Sequence, residues 1–189
     1  LLHLMPKAMD QWEAQKFKWK HDRYGLVTLH RPSNVDHPDK ISSIMNALID
    51  ISHQLPIIFP VHPRTRQRLE DLNLSTQNSR LHLIDPLSYL DFQALQCHAT
   101  LVITDSGGIQ EETTYLGIPC LTIRKNTERP VTINMGTNVL VGQDMDQLKA
   151  MVGQILSGDW KQGQKIPLWD GQAARRIAET IMSHQLGPA

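Results

Sequence analysis

The residues best suited to chemistry lie in one continuous run, Thr104-Asp105-Ser106-Gly107-Gly108-Ile109-Gln110-Glu111-Glu112. An apolar segment precedes the run and a helix-compatible stretch follows it, so we expect a strand that turns through small residues into a helix. The first N–H groups of such a helix are unpaired and its dipole is positive there, which favours a phosphate. Ser106 adds a hydroxyl, and Gly107 and Gly108 let a ligand approach the backbone closely. Glu112, a little over one turn inside the helix, can accept two vicinal hydroxyls, so the run predicts a nucleotide site.

The same run also has a simpler interpretation, as an ordinary turn from a strand into a helix. Ser106 would then cap the helix, and Glu111 or Glu112 would favour the positive end of the helix dipole. The run is not a P-loop, because no Gly-Lys-Ser or Gly-Lys-Thr follows, and it does not match the GxGxxG dinucleotide fingerprint. The string as a whole, together with the segments around it, favours the nucleotide interpretation.

Helix-like and strand-like segments alternate along the chain and predict how this run is held. Strand-like segments fall at 25–29, 56–61, 81–84, 101–104, 120–123 and 137–141. Helix-like segments fall at 1–20, 38–54, 64–72, 89–97, 109–116, 145–156 and 171–182. Apolar strands separated by helices are typical of a parallel sheet covered on both faces. We therefore predict a doubly wound, Rossmann-like α/β fold with its ligand crevice at the carboxyl ends of the strands.

Residues that could do chemistry follow the predicted strands. The segments after the first five strands are 30–36, 62–65, 85–89, 105–112 and 124–129, and they carry two histidines, several arginines and the phosphate turn. Because the carboxyl ends of parallel strands share one edge of the sheet, we expect these side chains to line one crevice.

Composition argues against several classes of function. The 189 residues carry 19 basic and 19 acidic side chains, so no overall field attracts nucleic acid or anionic lipid. No apolar run is long enough to span a membrane, and the histidines form no pair at metal-ligand spacing, so we expect no membrane, metal or cofactor. Cys97 and Cys120 lie in apolar surroundings without a CxxC partner, which predicts buried thiols in a reducing compartment.

The first 24 residues are expected to form a helical arm ahead of a single nucleotide-binding domain at 25–189. Lysines in this arm stand beside Trp12 and Trp19, which favours a solvated amphipathic helix whose aromatic rings pack on a neighbour. The chain begins with Leu1 and not Met, from which we expect a fragment of a longer protein.

Several strings, in this order and spacing, closely resemble the non-hydrolysing UDP-N-acetylglucosamine 2-epimerases. They are Thr28-Leu29-His30-Arg31-Pro32-Ser33-Asn34-Val35-Asp36, Pro60-Val61-His62-Pro63-Arg64, the run at 104–112, Thr127-Glu128-Arg129-Pro130 and Asp170-Gly171-Gln172-Ala173. The resemblance extends from about Gly25 to the end of the chain. It covers only the carboxyl-terminal half of such an enzyme, whose two Rossmann-like domains form a glycosyltransferase-B arrangement with the active site between them.

The resemblance implies where UDP and its sugar bind. The implied contacts are Ser106, Gly107 and Gly108 for the diphosphate, Glu112 for the ribose hydroxyls, and Phe92 with the backbone around Leu87 for the uracil. His30 matches a histidine that faces the diphosphate and sugar, and it is the implied catalytic residue. Arg129 matches an arginine on the same side of the cleft.

Arg31 and His62 correspond to positions that, in bacterial members, contact a second, regulatory nucleotide sugar. Those members usually read His-Arg-Arg-Glu where this chain reads His30-Arg31-Pro32-Ser33, so the resemblance does not carry allosteric activation over to this chain. Three of the implied site residues also have plain structural interpretations. His30 and His62 could cap or pack at strand ends, and Arg129 could form a loop ion pair.

The family inverts C2 of the sugar by eliminating UDP to a 2-acetamidoglucal and adding it back on the other face. A helix amino terminus, His30 and Arg129 would stabilise the departing diphosphate electrostatically. The carboxylates that move the C2 proton belong to the absent amino-terminal domain, so we expect this chain to bind UDP weakly and not to epimerise. The resemblance also implies a cytoplasmic, homodimeric isomerase of cell-envelope polysaccharide synthesis that acts on a UDP-N-acetylhexosamine.

Two functions of other classes remain open. One is a glycosyltransferase with the same two-domain arrangement, against which the string at 30–36 argues. The other is a non-catalytic sensor of nucleotide sugars, which an upstream second Rossmann domain would reject.

Overall fold

Six parallel strands form a single sheet at the centre of the molecule. In the computed structural model of the protein, the structure describes residues 4–15, 23–72 and 79–185. The strands are β1 (Gly25–Thr28), β2 (Ile57–Pro60), β3 (Leu81–Ile84), β4 (Leu101–Thr104), β5 (Cys120–Thr122) and β6 (Asn138–Leu140). Their order is β3-β2-β1-β4-β5-β6, and every neighbouring pair is parallel. This is the order of a doubly wound sheet, in which the chain adds strands outwards from β1 on one side and then from β4 on the other. The predicted fold class is therefore confirmed.

The helices cover the sheet and connect its strands. They are α1 (Met5–Gln15), α2 (Pro32–Val35), α3 (Pro38–Ser52), α4 (Pro63–Asp71), α5 (Tyr89–His98), α6 (Gly107–Leu116), α7 (Pro130–Asn134), α8 (Met145–Leu156) and α9 (Ala173–Gln185). All strand bounds lie within one residue of prediction. The short helices α2 and α7 fall where the sequence predicted none, although Pro32 and Pro130, each at a first helical position, were an available signal.

Two apolar clusters sandwich the sheet. Consecutive residues of each central strand point to opposite faces, so Val27 and Ile103 join the cluster under α3 and α8, whereas Leu26 and Val102 join the cluster under α5. All four residues are fully buried. Each such aliphatic side chain contributes about 1.5 to 3 kcal/mol to folding, so both faces of the sheet are fixed where the crevice is built.

Helix α1 packs on α5, where the Trp12 ring stacks on His98 with 4.1 Å between ring centroids. The expected packing of an arm aromatic is therefore confirmed for Trp12, whereas Trp19 lies outside the described residues. The prediction of two buried thiols is correct for Cys120 and wrong for Cys97, which is half-buried with its Sγ 3.7 Å from the Met5 sulfur. Within the described ranges, no helix combines the length and apolar character needed to cross a membrane.

Candidate nucleotide-binding site

The candidate site lies between β1 and β4, where the order in which the chain adds strands to the sheet reverses. Strands β1 and β4 are neighbours in register, with Thr28 opposite Thr104. The chain leaves β1 towards α3 on one face of the sheet and leaves β4 towards α6 on the other, so the two loops separate and open a crevice at their carboxyl ends. His30 follows the first of these strands, and Ser106 follows the second.

Asp105 joins the two loops across this crevice. Its side chain is fully buried and accepts hydrogen bonds from the backbone N–H groups of His30 (3.1 Å) and Arg31 (3.0 Å) and from the Asn34 amide (3.0 Å). Sequence reasoning placed Asp105 in the run but assigned it no role. The available signal was its position, as a carboxylate directly after a strand whose residues are all buried.

The same carboxylate holds the His30 ring. The Nδ1 atom of His30 lies 2.9 Å from the Asp105 Oδ1 atom, while 61% of the His30 side chain is exposed. The hydrogen bond that the His30 ring donates to Asp105 raises the pKa of His30 above its usual value. Burial disfavours ionisation of Asp105, but hydrogen bonds from His30, the Arg31 backbone and Asn34 outweigh it, and the pKa of the carboxyl is lowered. His30 is thus a positioned imidazole that carries its proton to a higher pH than a free histidine.

The amino terminus of α6 opens onto free space. Ser106 occupies the N-cap position with extended backbone (φ −90°, ψ 132°), yet its hydroxyl makes no capping hydrogen bond. A Cβ atom added to Gly107 would meet no heavy atom within 4 Å, and one added to Gly108 would meet only the Ser106 hydroxyl, at 3.9 Å. Neither glycine has a positive φ. The chain's own packing therefore requires neither glycine. The N–H groups of Gly107 and Gly108 donate to none of the described residues, so they can receive an anion.

Glu112 is held in place by α5. Its carboxylate accepts hydrogen bonds from the Tyr89 hydroxyl (3.0 Å), the Gln93 amide and the Gln96 amide (3.2 Å). Burial, followed by the charge of Glu112, raises the pKa of Tyr89 to about 12. Because three donors fix the carboxylate before any ligand arrives, little side-chain entropy is lost when it accepts hydroxyl groups. Leu87 and Phe92 are partly buried against the cluster under α5.

The other predicted site residues, Arg31, Arg129 and His62, each contact a neighbouring segment of the fold. Arg31 donates through Nε to the Asp105 carbonyl (3.1 Å), which places it beside the crevice. The Arg129 Nε atom lies 2.7 Å from the Glu111 carboxylate, on the side of α6. His62 is exposed at the N-cap of α4, where its Nδ1 atom accepts a hydrogen bond from the Arg64 backbone. The structure therefore brings His30 and Arg31 to Asp105, whereas the ring of His62 serves α4.

The loop between β5 and α7 is fixed by contacts that the sequence did not predict. The Arg124 guanidinium donates two hydrogen bonds to Glu128, at 2.9 and 2.7 Å, and this pairing lowers the pKa of Glu128 to about 2. The Thr127 hydroxyl donates to the side-chain carbonyl of Gln110 on α6, at 2.6 Å. These bonds hold Arg129 next to α6. Among the described residues, no cluster of three or more His, Cys, Asp or Glu side chains is placed to hold a metal ion.

A doubly wound parallel sheet, an open helix terminus at its reversal point and a preset carboxylate one turn along that helix together define a nucleotide-binding α/β domain. A family model described as UDP-N-acetylglucosamine 2-epimerase matches residues 1–182. The chain belongs to this family.

Individual relatives agree with this assignment. The chain is 39% identical over 165 residues to the UDP-N-acetylglucosamine 2-epimerase of Methanocaldococcus jannaschii, a match that covers 85% of this chain and 44% of the relative. It is equally identical over the same length to the UDP-2,3-diacetamido-2,3-dideoxy-D-glucuronate 2-epimerase of Pseudomonas aeruginosa, with the same coverage. The solved structure of the M. jannaschii enzyme in complex with UDP-GlcNAc and UDP superposes with a TM-score of 0.79 at 36% identity, over 94% of this chain and 51% of that one. The chain thus spans about half the length of the relatives it matches.

Proposed function

We propose that this chain is the UDP-binding half of an enzyme that interconverts UDP-N-acetylglucosamine and UDP-N-acetylmannosamine by eliminating and re-adding UDP. The observation that carries the proposal is the open amino terminus of α6 beside the Asp105–His30 pair. A departing diphosphate develops negative charge, which a helix terminus and an imidazole with a raised pKa would both stabilise. The name and bound ligands of the M. jannaschii structure support the same nucleotide.

In this proposal the Ser106 hydroxyl and the N–H groups of Gly107 and Gly108 bind the diphosphate. Glu112 accepts the ribose hydroxyls, and Leu87 and Phe92 form the apolar side of the uracil pocket. His30 donates from the nitrogen that Asp105 does not hold. Arg129 neutralises charge from the α6 side, after exchanging part of its contact with Glu111. Arg31 and His62 are proposed contacts for a second nucleotide sugar.

Glu112 allows a direct test of the nucleotide assignment. We expect UDP to bind more tightly than 2′-deoxy-UDP, because the deoxy nucleotide leaves part of the preset carboxylate unpaired. Glu112→Gln should weaken UDP binding by about ten-fold and reduce the difference between the two nucleotides. Glu179→Gln, at an exposed glutamate on α9, is the matched control. An unchanged preference for the ribose form in Glu112→Gln would contradict the assignment.

The carboxylates that move the C2 proton are proposed to lie in an amino-terminal domain outside this chain. Exposed apolar side chains on α9 support a partner surface outside this chain. Ile177 and Ile181, four residues apart, and the adjacent Met182 expose 59%, 52% and 61% of their surface, which favours burial against another domain. We propose that the amino-terminal half of the same protein covers it, and that the complete protein is a cytoplasmic homodimer.

Proton NMR of UDP-N-acetylglucosamine in D₂O separates binding from catalysis. The full-length protein should form UDP-N-acetylmannosamine and exchange the C2 proton, which a glycosyltransferase or a sensor would not do. This chain should bind UDP and do neither. Substantial turnover by the isolated chain would overturn the assignment of the acid and base to another domain.

A further inference from the structure

A second pocket, of about 370 Å³, lies at the carboxyl edge of the sheet between the segments that follow β1, β5 and β6. Its wall includes four basic side chains and two amides, namely Arg31, Lys40, Arg124, Lys125, Asn126 and Gln143. No residue of α6 lines it, nor does His62. This volume falls in the range of small-molecule sites, and it exceeds what a single phosphate ion needs.

The charge in this pocket is not balanced by the protein. Arg124 is neutralised by its two hydrogen bonds to Glu128. The ammonium groups of Lys40 and Lys125, by contrast, make neither an ion pair nor a hydrogen bond to any residue that the structure describes. No acidic side chain within the described ranges lines the pocket. Lys40 is half-buried, so part of its side chain packs against the protein while the ammonium group remains available to an incoming anion.

Arg31 lies between this pocket and the crevice. Its Nε atom donates to the Asp105 carbonyl, and its Nη2 atom is 4.0 Å from the Glu128 carboxylate. The guanidinium is thereby held at the pocket wall without being fully neutralised. Asn126 and Gln143 add amide groups that can donate to a neutral part of a ligand. Basic side chains and amides in one pocket wall are complementary to an oxyanion attached to a polar body.

We propose that this pocket binds a hexose-sized molecule through a phosphate or carboxylate group held by Lys40 and Lys125. No residue of α6 lines it, so it is distinct from the diphosphate site, although Arg31 and Asn34 in its wall also contact Asp105 in the crevice. The proposal does not depend on which nucleotide binds at α6. Binding should weaken with ionic strength, since both lysines reach solvent.

Titration calorimetry of this chain tests the proposal with glucose 6-phosphate, glucuronate and neutral glucose as probes. Each probe is titrated with and without UDP, so that competition at α6 is detected directly. We expect one or both anionic probes to bind at millimolar concentration in the presence of UDP, and glucose not to bind. Comparison of the two anions distinguishes a phosphate source from a carboxylate source.

Lys40→Gln and Lys125→Gln should each weaken binding of the anionic probe by about ten-fold and leave UDP binding unchanged. Lys7→Gln, at an exposed lysine on α1, is the matched control, and a thermal unfolding scan of each variant checks the fold. The proposal is overturned if neither anion binds, if UDP displaces the probe, or if the lysine variants bind it as the wild type does. If the chain binds the anionic probe but not UDP, the function proposed for the α6 site is contradicted and the proposal for this pocket stands.

Discussion

Replacement of the two glycines at the start of α6 separates the needs of the fold from those of a ligand. Most functional substitutions also damage the protein, but Gly107→Ala and Gly108→Ala place a methyl group where the chain offers open space or an ordinary contact. Both residues are helical, so alanine fits their backbone without strain. Alanine also lowers the entropy of the unfolded chain. Each variant should therefore fold as well as the wild type or better.

The magnitudes follow from these contacts. A compatible Gly→Ala change stabilises by about 0.4 to 1 kcal/mol, which raises the melting temperature of a chain of this length by about 1 to 4 °C. A phosphate seated against the backbone of these glycines would occupy the open space into which an alanine methyl group projects, so the ligand and the methyl group would compete for it. Displacing the phosphate loses one charge-assisted hydrogen bond, so UDP should bind about 10- to 100-fold more weakly.

Differential scanning calorimetry and UDP titration on the same samples measure both effects. Gly153→Ala is the matched control, because Gly153 lies within α8, away from the crevice, and an added Cβ there also meets nothing within 4 Å. This control should gain a similar stability and keep wild-type UDP binding. If Gly107→Ala and Gly108→Ala both bind UDP as tightly as the control does, the backbone at the start of α6 does not contact the nucleotide and the reasoning fails.

Four further predictions concern the individual residues His30, Asp105 and Gly136. The raised pKa of His30 means that UDP binding, measured as the difference between wild type and His30→Gln to cancel titration of the phosphate, should weaken as pH rises through that pKa. The stability that comes from the raised pKa of His30 should be fully present below about pH 6.5 and decline as pH rises through the raised pKa, which melting temperatures of wild type and His30→Gln will show. Asp105→Ala should cost about 3 kcal/mol in urea unfolding, since it strands the buried donors of Asn34 and the 30–31 backbone, and a loss under 1 kcal/mol would contradict that account. Gly136→Ala should cost about 1 to 3 kcal/mol in the same assay, because its Cβ collides with the Thr114 side chain and the Thr132 carbonyl, whereas wild-type stability would show that this loop moves freely.

The positions of the strands were predictable because each is short, apolar and followed by a turn. The predicted bounds 81–84 and 101–104 are those of β3 and β4, whereas β1 and β5 are one residue shorter than predicted at one end and β2 and β6 are one residue shorter at each end. The location of the crevice followed from the parallel order, which places every strand's carboxyl end on one edge. The run at 104–112 was recognisable because its glycines and carboxylate are neighbours in sequence.

Contacts between distant segments were not predictable in this way. Asp105 and His30 are 75 positions apart, and no local pattern indicates that one will accept hydrogen bonds from the other. The same holds for the amides of Gln93 and Gln96 that hold Glu112, because on sequence alone both are unremarkable residues of an amphipathic segment. Pairing of this kind depends on strand order and on the angle between helices, which emerge only when the core packs.

Asp105 shows why structure and charge are tied together in this crevice. The carboxylate that closes the loop after β1 by accepting two backbone N–H groups also raises the pKa of the histidine that faces the ligand. Any loss of this carboxylate therefore loosens the loop and shifts the proton affinity of His30 at the same time. Asp105→Asn keeps the side-chain shape and removes the charge, so it should lower the pKa of His30, but its NH2 group replaces one acceptor oxygen and also removes hydrogen bonds that hold the loop. Combined with His30→Gln, it separates the two effects. If charge on the imidazole matters for binding the diphosphate, Asp105→Asn will weaken UDP binding in the wild-type background and change it much less once His30 has been replaced.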